Sequence, residues 1–387
     1  MKRSAGVAII GAGVTGASVA CHLARKGVKD ILLLDQHEAA GMGSTSRATG
    51  GFRVQFGTPV NIALSLLSRN KLLEFSDEFG IDPGFRQCGY LFIAERNEDL
   101  EVLKQLLLTQ HSAGVTDARE VTVDDILQLN HAVNRERIVG GTFCPSDGFI
   151  MPLEILRGYL ETAAALGVRT QYNTVITGFR MQEDRITGIT TAGGSFDVSI
   201  VVNAAGAWAG SVNRMVGVDT RIVPVRRQVA ATIPTGVLPD SMPMTIFVED
   251  GFHLRVRDGR VLLLRPDDTF GATPFDTSFD SGWLVGVVNR AHECIPCLRE
   301  VPVDPMHCWA GLYEMSPDKH ALLGRVEPWS NLFLAGGSSG HGVMHAPALG
   351  QLLAEIIVTG KAQAMDVHQL RPSRFSEGEA IGGPALL

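Results

Sequence analysis

A short apolar strand that runs directly into Gly11-Ala12-Gly13-Val14-Thr15-Gly16, and then into a helix of small residues, constrains this chain more than any other feature. The strand Val7-Ala8-Ile9-Ile10 must turn sharply into a helix whose first N–H groups and positive dipole end face outward, the arrangement that holds a pyrophosphate. Gly11 permits the turn, Gly13 lets a phosphate approach the backbone, and Gly16 lets the helix lie on the strand. Ala17, Ala20, Cys21 and Ala24 recur at helical spacing and are small, as close packing on a sheet requires. Asp35 ends the apolar run Ile31-Leu32-Leu33-Leu34, at the spacing of a carboxylate that binds ribose hydroxyls, which argues against NADP. A dinucleotide is implied, and this motif alone does not separate FAD from NAD.

At 387 residues the chain is long for one core, so two domains are expected. A net charge of −7 gives no basic footprint for nucleic acid or for an anionic membrane, so the expected ligand is small. Lys2 and Arg3 precede an apolar run, but Gly11, Gly13 and Gly16 interrupt it, which removes the secretory-signal reading and makes the cytoplasm the expected location. The longest apolar segment, around Leu349 to Val358, is too short for a membrane span, so no integral membrane segment is expected. The six cysteines are scattered. Cys294-Ile295-Pro296-Cys297 is a CxxC without a second pair or a His pair at zinc-ligand spacing, so no metal is expected and structural thiols are the simpler reading.

Further along, Asn61 to Phe79 carries helical periodicity and Tyr90-Leu91-Phe92-Ile93-Ala94 reads as a strand of a different module. Residues 95–135 are charged and helix-prone, closed by turn chemistry in Gly140 to Gly148. A second buried strand, Ile200-Val201-Val202-Asn203, ends in Ala204-Ala205-Gly206-Ala207-Trp208, small residues suited to a close backbone approach. From Val223 to Arg290 the pattern is β-rich, with Asp-Gly turns at 250–251 and 258–259, which implies a β-sheet substrate domain. Asn331-Leu332-Phe333-Leu334-Ala335-Gly336-Gly337 is a third buried strand into glycines, followed by Ser338-Ser339-Gly340-His341-Gly342 and a helix expected from about Pro347 to Val358. The nucleotide-binding domain is thus expected in pieces, 1–85, 145–220 and 325–370, with 86–144 and 221–324 forming the substrate domain and 371–387 a frayed tail.

The ordered set of Gly11 to Gly16, Gly43-Ser44 through Arg53-Val54-Gln55-Phe56, Asn203 to Trp208, Ser316-Pro317-Asp318 and Gly340 to Pro347 resembles the D-amino-acid oxidase superfamily of flavoproteins, in the branch of glycine oxidase, sarcosine oxidase and L-proline dehydrogenase β subunits. The resemblance implies an α/β, Rossmann-like FAD-binding domain of the glutathione-reductase type, plus an α+β substrate domain with a large, mostly antiparallel sheet. It implies FAD held by Gly11, Gly13, Val14, Thr15, Gly16 and Asp35, by Ser44, Thr45, Arg47, Thr49, Gly50 and Gly51, by Val175, Ala205, Gly206 and Trp208, and by Gly337, Gly340, His341, Gly342, Val343 and Met344. Family members oxidise a carbon–nitrogen bond of an amino acid, with the flavin as hydride acceptor.

A small amino acid needs its carboxylate fixed, which a guanidinium does with planar paired donors. Arg53 falls where sarcosine oxidases carry such an arginine, with Arg47 as its rival. Tyr313, Met344 and His253 outline the remaining pocket, and His341 is expected to approach the flavin through its backbone, its imidazole incidental. Where monomeric sarcosine oxidase bonds flavin to a cysteine, this chain has Gly311, so the FAD is expected to be noncovalent unless Cys308 reaches it. Where that enzyme has a carboxylate-binding lysine, this chain has Met344, and where it has an oxygen-activating lysine, Leu263. A cation near flavin stabilises superoxide formed in electron transfer to oxygen. Its absence favours a dehydrogenase acting on a proline-like or sarcosine-like substrate, with a quinone, an electron-transfer flavoprotein or a partner subunit as acceptor. An oxidase producing hydrogen peroxide and a non-catalytic flavin-binding scaffold subunit are the alternatives.

Overall fold

In the computed structural model, which describes residues 4–267 and 274–382, the strand Ser4–Ile10 lies at the centre of an eight-stranded sheet. Its neighbours Ile31–Leu34 and Gly194–Asn203 run parallel to it, with Arg169–Gln171 and Leu332–Gly336 parallel further out and Leu322–Arg325 antiparallel at the edge. Central parallel strands are covered on both faces and so are apolar throughout, as the four fully buried residues of Ile31–Leu34 illustrate. One face carries the glycine-loop helix Val14–Arg25, packed against Pro152–Ala165 and Gly342–Thr359. The opposite face is closed by apolar residues of the hairpin Ile176–Gln182 and Arg185–Thr191.

The second eight-stranded sheet runs, in order, Trp309–Met315, Val223–Ala231, Arg260–Leu264, His253–Arg257, Met244–Phe247, Tyr90–Ala94, Gly140–Cys144 and Arg119–Val121. Every pairing in it is antiparallel except Met244–Phe247 with Tyr90–Ala94. The side-chain period of two divides each strand between two faces. Leu91, Ile93, Leu254, Val256, Val261 and Leu263 pack with the helix Ser281–Cys294, while Tyr90, Met244, Ile246, His253 and Leu264 turn toward the first sheet and line a cavity between the two.

Three local expectations are corrected. The C-terminal helix begins at Gly342, not near Pro347; the proline sits inside it, giving up a single N–H bond in its second turn. At 18 residues this helix is long and apolar enough in composition to cross a bilayer, against the expectation drawn from Leu349 to Val358, but most of it is buried against Val14–Arg25 and Pro59–Leu73. The segment after 370, expected to fray, includes the turn Pro372–Phe375, which docks because Arg374 is fully buried against Asp318. Residues 383–387 of that segment lie outside the described residues.

Candidate active site

The glycine turn is shaped as its sequence requires. Gly11 has φ +106°, and a Cβ there would overlap the backbone of Ala204; a Cβ on Gly16 would overlap the carbonyl oxygen of Gly11. Asp35 braces the turn, its carboxylate accepting from Ala12 N at 2.7 Å and from His37 N at 2.8 Å. Opposite, Asn203 is fully buried: its Nδ2 donates to Ala209 O and Asn213 Oδ1, and its Oδ1 accepts from Ala205 N, which sets the turn through Gly206 to Trp208. Trp208 stacks on Phe275 with centroids 5.2 Å apart.

The segment 43–53 crosses from the first sheet to the second and is held through both its side chains and its backbone. Ser44 Oγ donates to Leu312 O, Arg47 Nη1 to Ala310 O, and Trp309 Nε1 to Arg47 O, each at 2.7–2.8 Å. Arg255 Nη1 donates to Thr49 O at 2.6 Å and Arg257 Nη1 to Ala48 O at 3.4 Å. Arg47, the rival for substrate binding, thus spends a donor on the edge strand. Arg255 and Arg257, absent from the sequence-derived set, clamp the loop. Their alternation on one strand was visible in the sequence, but the loop they face was not.

A cavity of about 770 Å³ connects these parts. Of the predicted cofactor residues, Gly11, Gly13, Val14, Thr15, Asp35, Ser44, Thr45, Arg47, Thr49, Gly50, Gly51, Val175, Ala205, Gly206, Trp208, Gly340, His341, Gly342, Val343 and Met344 line it, as do Arg53, Tyr313 and His253. Gly16 and Gly337 do not: the first makes room between helix and strand, and the second turns at φ +68° beside Leu322.

Toward the second sheet the walls carry the candidate chemistry. Arg53, 4% exposed, lies over the Phe56 ring at 4.3 Å, donates from Nη1 to Gln55 O and from Nη2 to His341 Nε2 at 3.2 Å, and has its pKa lowered by burial. Tyr313 packs on Gly340, where a Cβ would overlap the ring and where φ is +94°, and burial raises its phenol. His253 Nδ1 meets Gly251 O at 2.8 Å, and burial lowers its pKa to about 4, so it stands neutral. Met344 is 4% exposed and shares its surface between cavity and core.

Two buried carboxyls escaped the sequence reading. Asp147, in the Gly140–Gly148 turn, is fully buried; it accepts from Val54 N at 2.6 Å and Gln55 Nε2 at 3.0 Å, and burial pushes its pKa up to about 7. Glu314 lines the cavity beside Gly342, and burial likewise lifts it to about 7. Its Oε2 and the hydroxyl of Ser338 are buried without hydrogen-bond partners.

Leu263 does not face the cavity. It packs under Ser281–Cys294, and the period of two puts Leu264 on the cavity side, with Arg265 following on its wall. The expectation of slow oxygen chemistry therefore loses the ground that Leu263 supplied. Gly311 abuts Arg47, where a Cβ would lie 3.0 Å from the Arg47 Cβ, and Cys308 packs with the core under the second sheet. Cys294 is buried, burial raising its thiol to about 12, and the described residues contain no cluster able to hold a metal.

The cavity fits FAD. A glycine cradle and helix N-terminus lie at one end, with Val14 N turned to the Thr45 hydroxyl at 3.2 Å, and the orphaned Glu314 and Ser338 oxygens lie beside the C-terminal glycines. Comparison with known proteins agrees. A family model described as FAD dependent oxidoreductase matches residues 6–356. Rat mitochondrial dimethylglycine dehydrogenase is 29% identical over 97% of the chain, and human mitochondrial sarcosine dehydrogenase 26% over 97%. The chain spans 45% and 42% of their respective lengths, less than half of each. The crystal structure of L-proline dehydrogenase from P. horikoshii superposes with a TM-score of 0.90 at 28% identity, covering 98% of this chain and all of that one. With the glycine cradle, the two-sheet cavity and a family model matched over most of its length, the chain belongs to the FAD-dependent oxidoreductase family.

Proposed function

We propose that this chain oxidises the carbon–nitrogen bond of a small secondary or N-methylated amino acid, proline-like or sarcosine-like, with Arg53 holding the substrate carboxylate. The observation that carries the reading is a buried guanidinium on the cavity wall, set over Phe56 and close to Tyr313. A guanidinium in a water-poor site binds a carboxylate with two parallel donors, and so orients the adjacent carbon. The three relatives above are named for dimethylglycine, sarcosine and proline, all N-substituted amino acids, which supports the same class.

When bound, FAD supplies the hydride acceptor. The protein's part is placement and exclusion of water. Tyr313, Met344 and Leu264 enclose the substrate end, and neutral His253 and His341 add no charge to compete with Arg53. An amine that arrives unprotonated needs no general base, and the imine product hydrolyses afterwards. The acceptor we assign is one other than oxygen, a quinone, an electron-transfer flavoprotein or a partner subunit, on the strength of the dehydrogenase relatives.

The test is the visible spectrum of the purified protein, recorded anaerobically with L-proline, D-proline, sarcosine and dimethylglycine in turn. Bleaching by one of them, lost in Arg53→Ala with flavin content retained, is the expected result. A flavin that stays oxidised with all four removes the substrate class, and oxygen uptake matching substrate turnover removes the acceptor assignment.

A further inference from the structure

Arg53 and His341 are far apart in the chain and meet on the cavity wall, Nη2 to Nε2 at 3.2 Å. A guanidinium only donates, so His341 Nε2 is the acceptor and the imidazole is neutral with its proton on Nδ1. Burial pushes His341 well below the ordinary histidine value, and the charge of Arg53 acts in the same direction.

Phe56 completes the arrangement. Its ring lies under the guanidinium at 4.3 Å and meets the His341 ring edge-on at 4.8 Å. Stacking on an aromatic face fixes the plane of a guanidinium but lets it rotate and slide within that plane. Directional bonds restrict that freedom: Nη1 donates to the Gln55 carbonyl of its own segment at 3.4 Å, and the shorter bond, from Nη2 at 3.2 Å, goes to an acceptor anchored elsewhere. His341 N donates to Ser338 O and His341 O accepts from His345 N, so the ring is carried by the N-terminus of the helix Gly342–Thr359. His345 in turn meets Ser65 Oγ at 2.9 Å.

We propose that His341 is a positioning residue for substrate binding, its Nε2 setting the in-plane orientation of the Arg53 guanidinium so that paired donors face the substrate carboxylate. The proposal rests on the reading of Arg53 given above. It assigns to the imidazole, and not only to the backbone of Gly340-His341-Gly342, a share in recognising the carboxylate end of the substrate.

The experiment is calorimetric binding to the flavin-loaded protein of pyrrole-2-carboxylate, a flat proline analogue, with pyrrole as the probe lacking the carboxylate. His341→Leu removes the acceptor and His341→Gln retains one. The expected result is a loss of about tenfold in pyrrole-2-carboxylate affinity for His341→Leu, the size of one hydrogen bond to a charged group. His341→Gln restores most of it, pyrrole binding and flavin content are unchanged, and His341→Leu has no further effect in an Arg53→Ala background. Equal losses in the Leu and Gln variants, or a loss that persists when Arg53 is already absent, overturn the proposal. If Arg53→Ala weakens the carboxylate probe while His341→Leu does not, His341 falls and the Arg53 reading stands. If Arg53→Ala has no effect on that probe, the Arg53 reading falls and this proposal with it.

Discussion

The Arg374 guanidinium grips Asp318 with two bonds of 2.8 Å, Nε to Oδ2 and Nη2 to Oδ1, with the arginine side chain 0% and the aspartate 3% exposed. The same guanidinium donates to His320 O, Ala321 O and Leu370 O, tying the segment after 370 to the Ser316-Pro317-Asp318 turn. Removing one partner of such a pair strands the other charge, at a cost of about 3–5 kcal/mol. Arg374→Ala is expected to lower the melting temperature sharply, and truncation before Arg374 to do the same, as thermal melts will show.

That pair also has a pH signature. Burial works to raise the Asp318 pKa, but Arg374 and the N–H groups of Ile381 and His320 outweigh it and hold the carboxyl below its ordinary value. A depressed folded pKa means stability that is present above the unfolded value and lost as pH falls through the folded one. Wild type is therefore expected to lose stability in acid, below about pH 4. Arg374→Ala, already without the pair, should show a shallower acid limb in melts recorded against pH.

Asp147 has the opposite sign. Its folded pKa, near 7 against an ordinary 3.8, means that the folded state holds the proton more tightly than the unfolded. Its contribution is complete below the unfolded value and is lost as pH rises to the folded one, so between about pH 4 and about pH 7 it works to lower the melting temperature, against buried His253 and His341, whose lowered values act the other way. Melts recorded against pH should show Asp147→Asn gaining on wild type as pH rises through that window, because the variant lacks this contribution. Glu314 adds a limb of the same sign, from an ordinary 4.5 to about 7, so adding Glu314→Gln should shift the pH dependence further in the same direction.

The helix-to-strand contact at Gly16 has no room for a methyl group. Gly16→Ala forces the helix Val14–Arg25 away from the strand, an overpacking expected to cost about 1–3 kcal/mol. Because the same helix N-terminus is the phosphate cradle in the reading proposed above, flavin content after purification should fall together with melting temperature. A variant that is destabilised but fully loaded with flavin would contradict this account of the cradle.

Among the described residues no cysteine lines the cavity, and at Gly311 the space is occupied by Arg47. Acid precipitation is therefore expected to release the flavin into the supernatant, read by its absorbance. Yellow colour left in the washed pellet would show a covalent link and refute the noncovalent expectation.

What the sequence made legible was local. Gly11 to Gly16 with Asp35, and the strands ending at Asn203 and Gly336, announce themselves because strand, turn and helix follow one another within a few residues. Asp147 beneath Val54, Arg255 beside Thr49 and His341 against Arg53 are pairings across long stretches of chain, and hydrophobic periodicity says nothing about which distant segment a polar side chain will meet. The imidazole of His341, read as incidental, turned out to bond the chosen arginine. Leu263 illustrates a different limit: on a strand, an error of one position moves a residue to the other face of the sheet.

Arg255 and Arg257 hold Thr49 and Ala48 by their carbonyl oxygens, atoms every amino acid possesses. The two arginines are bound to their identity, while Ala48 and Thr49, whose residues line the cavity, are released from any duty to the clamp. The side chain at 48, outside the set read as holding the flavin, can therefore change and reshape the cavity wall while the joint between the two sheets stays as it is.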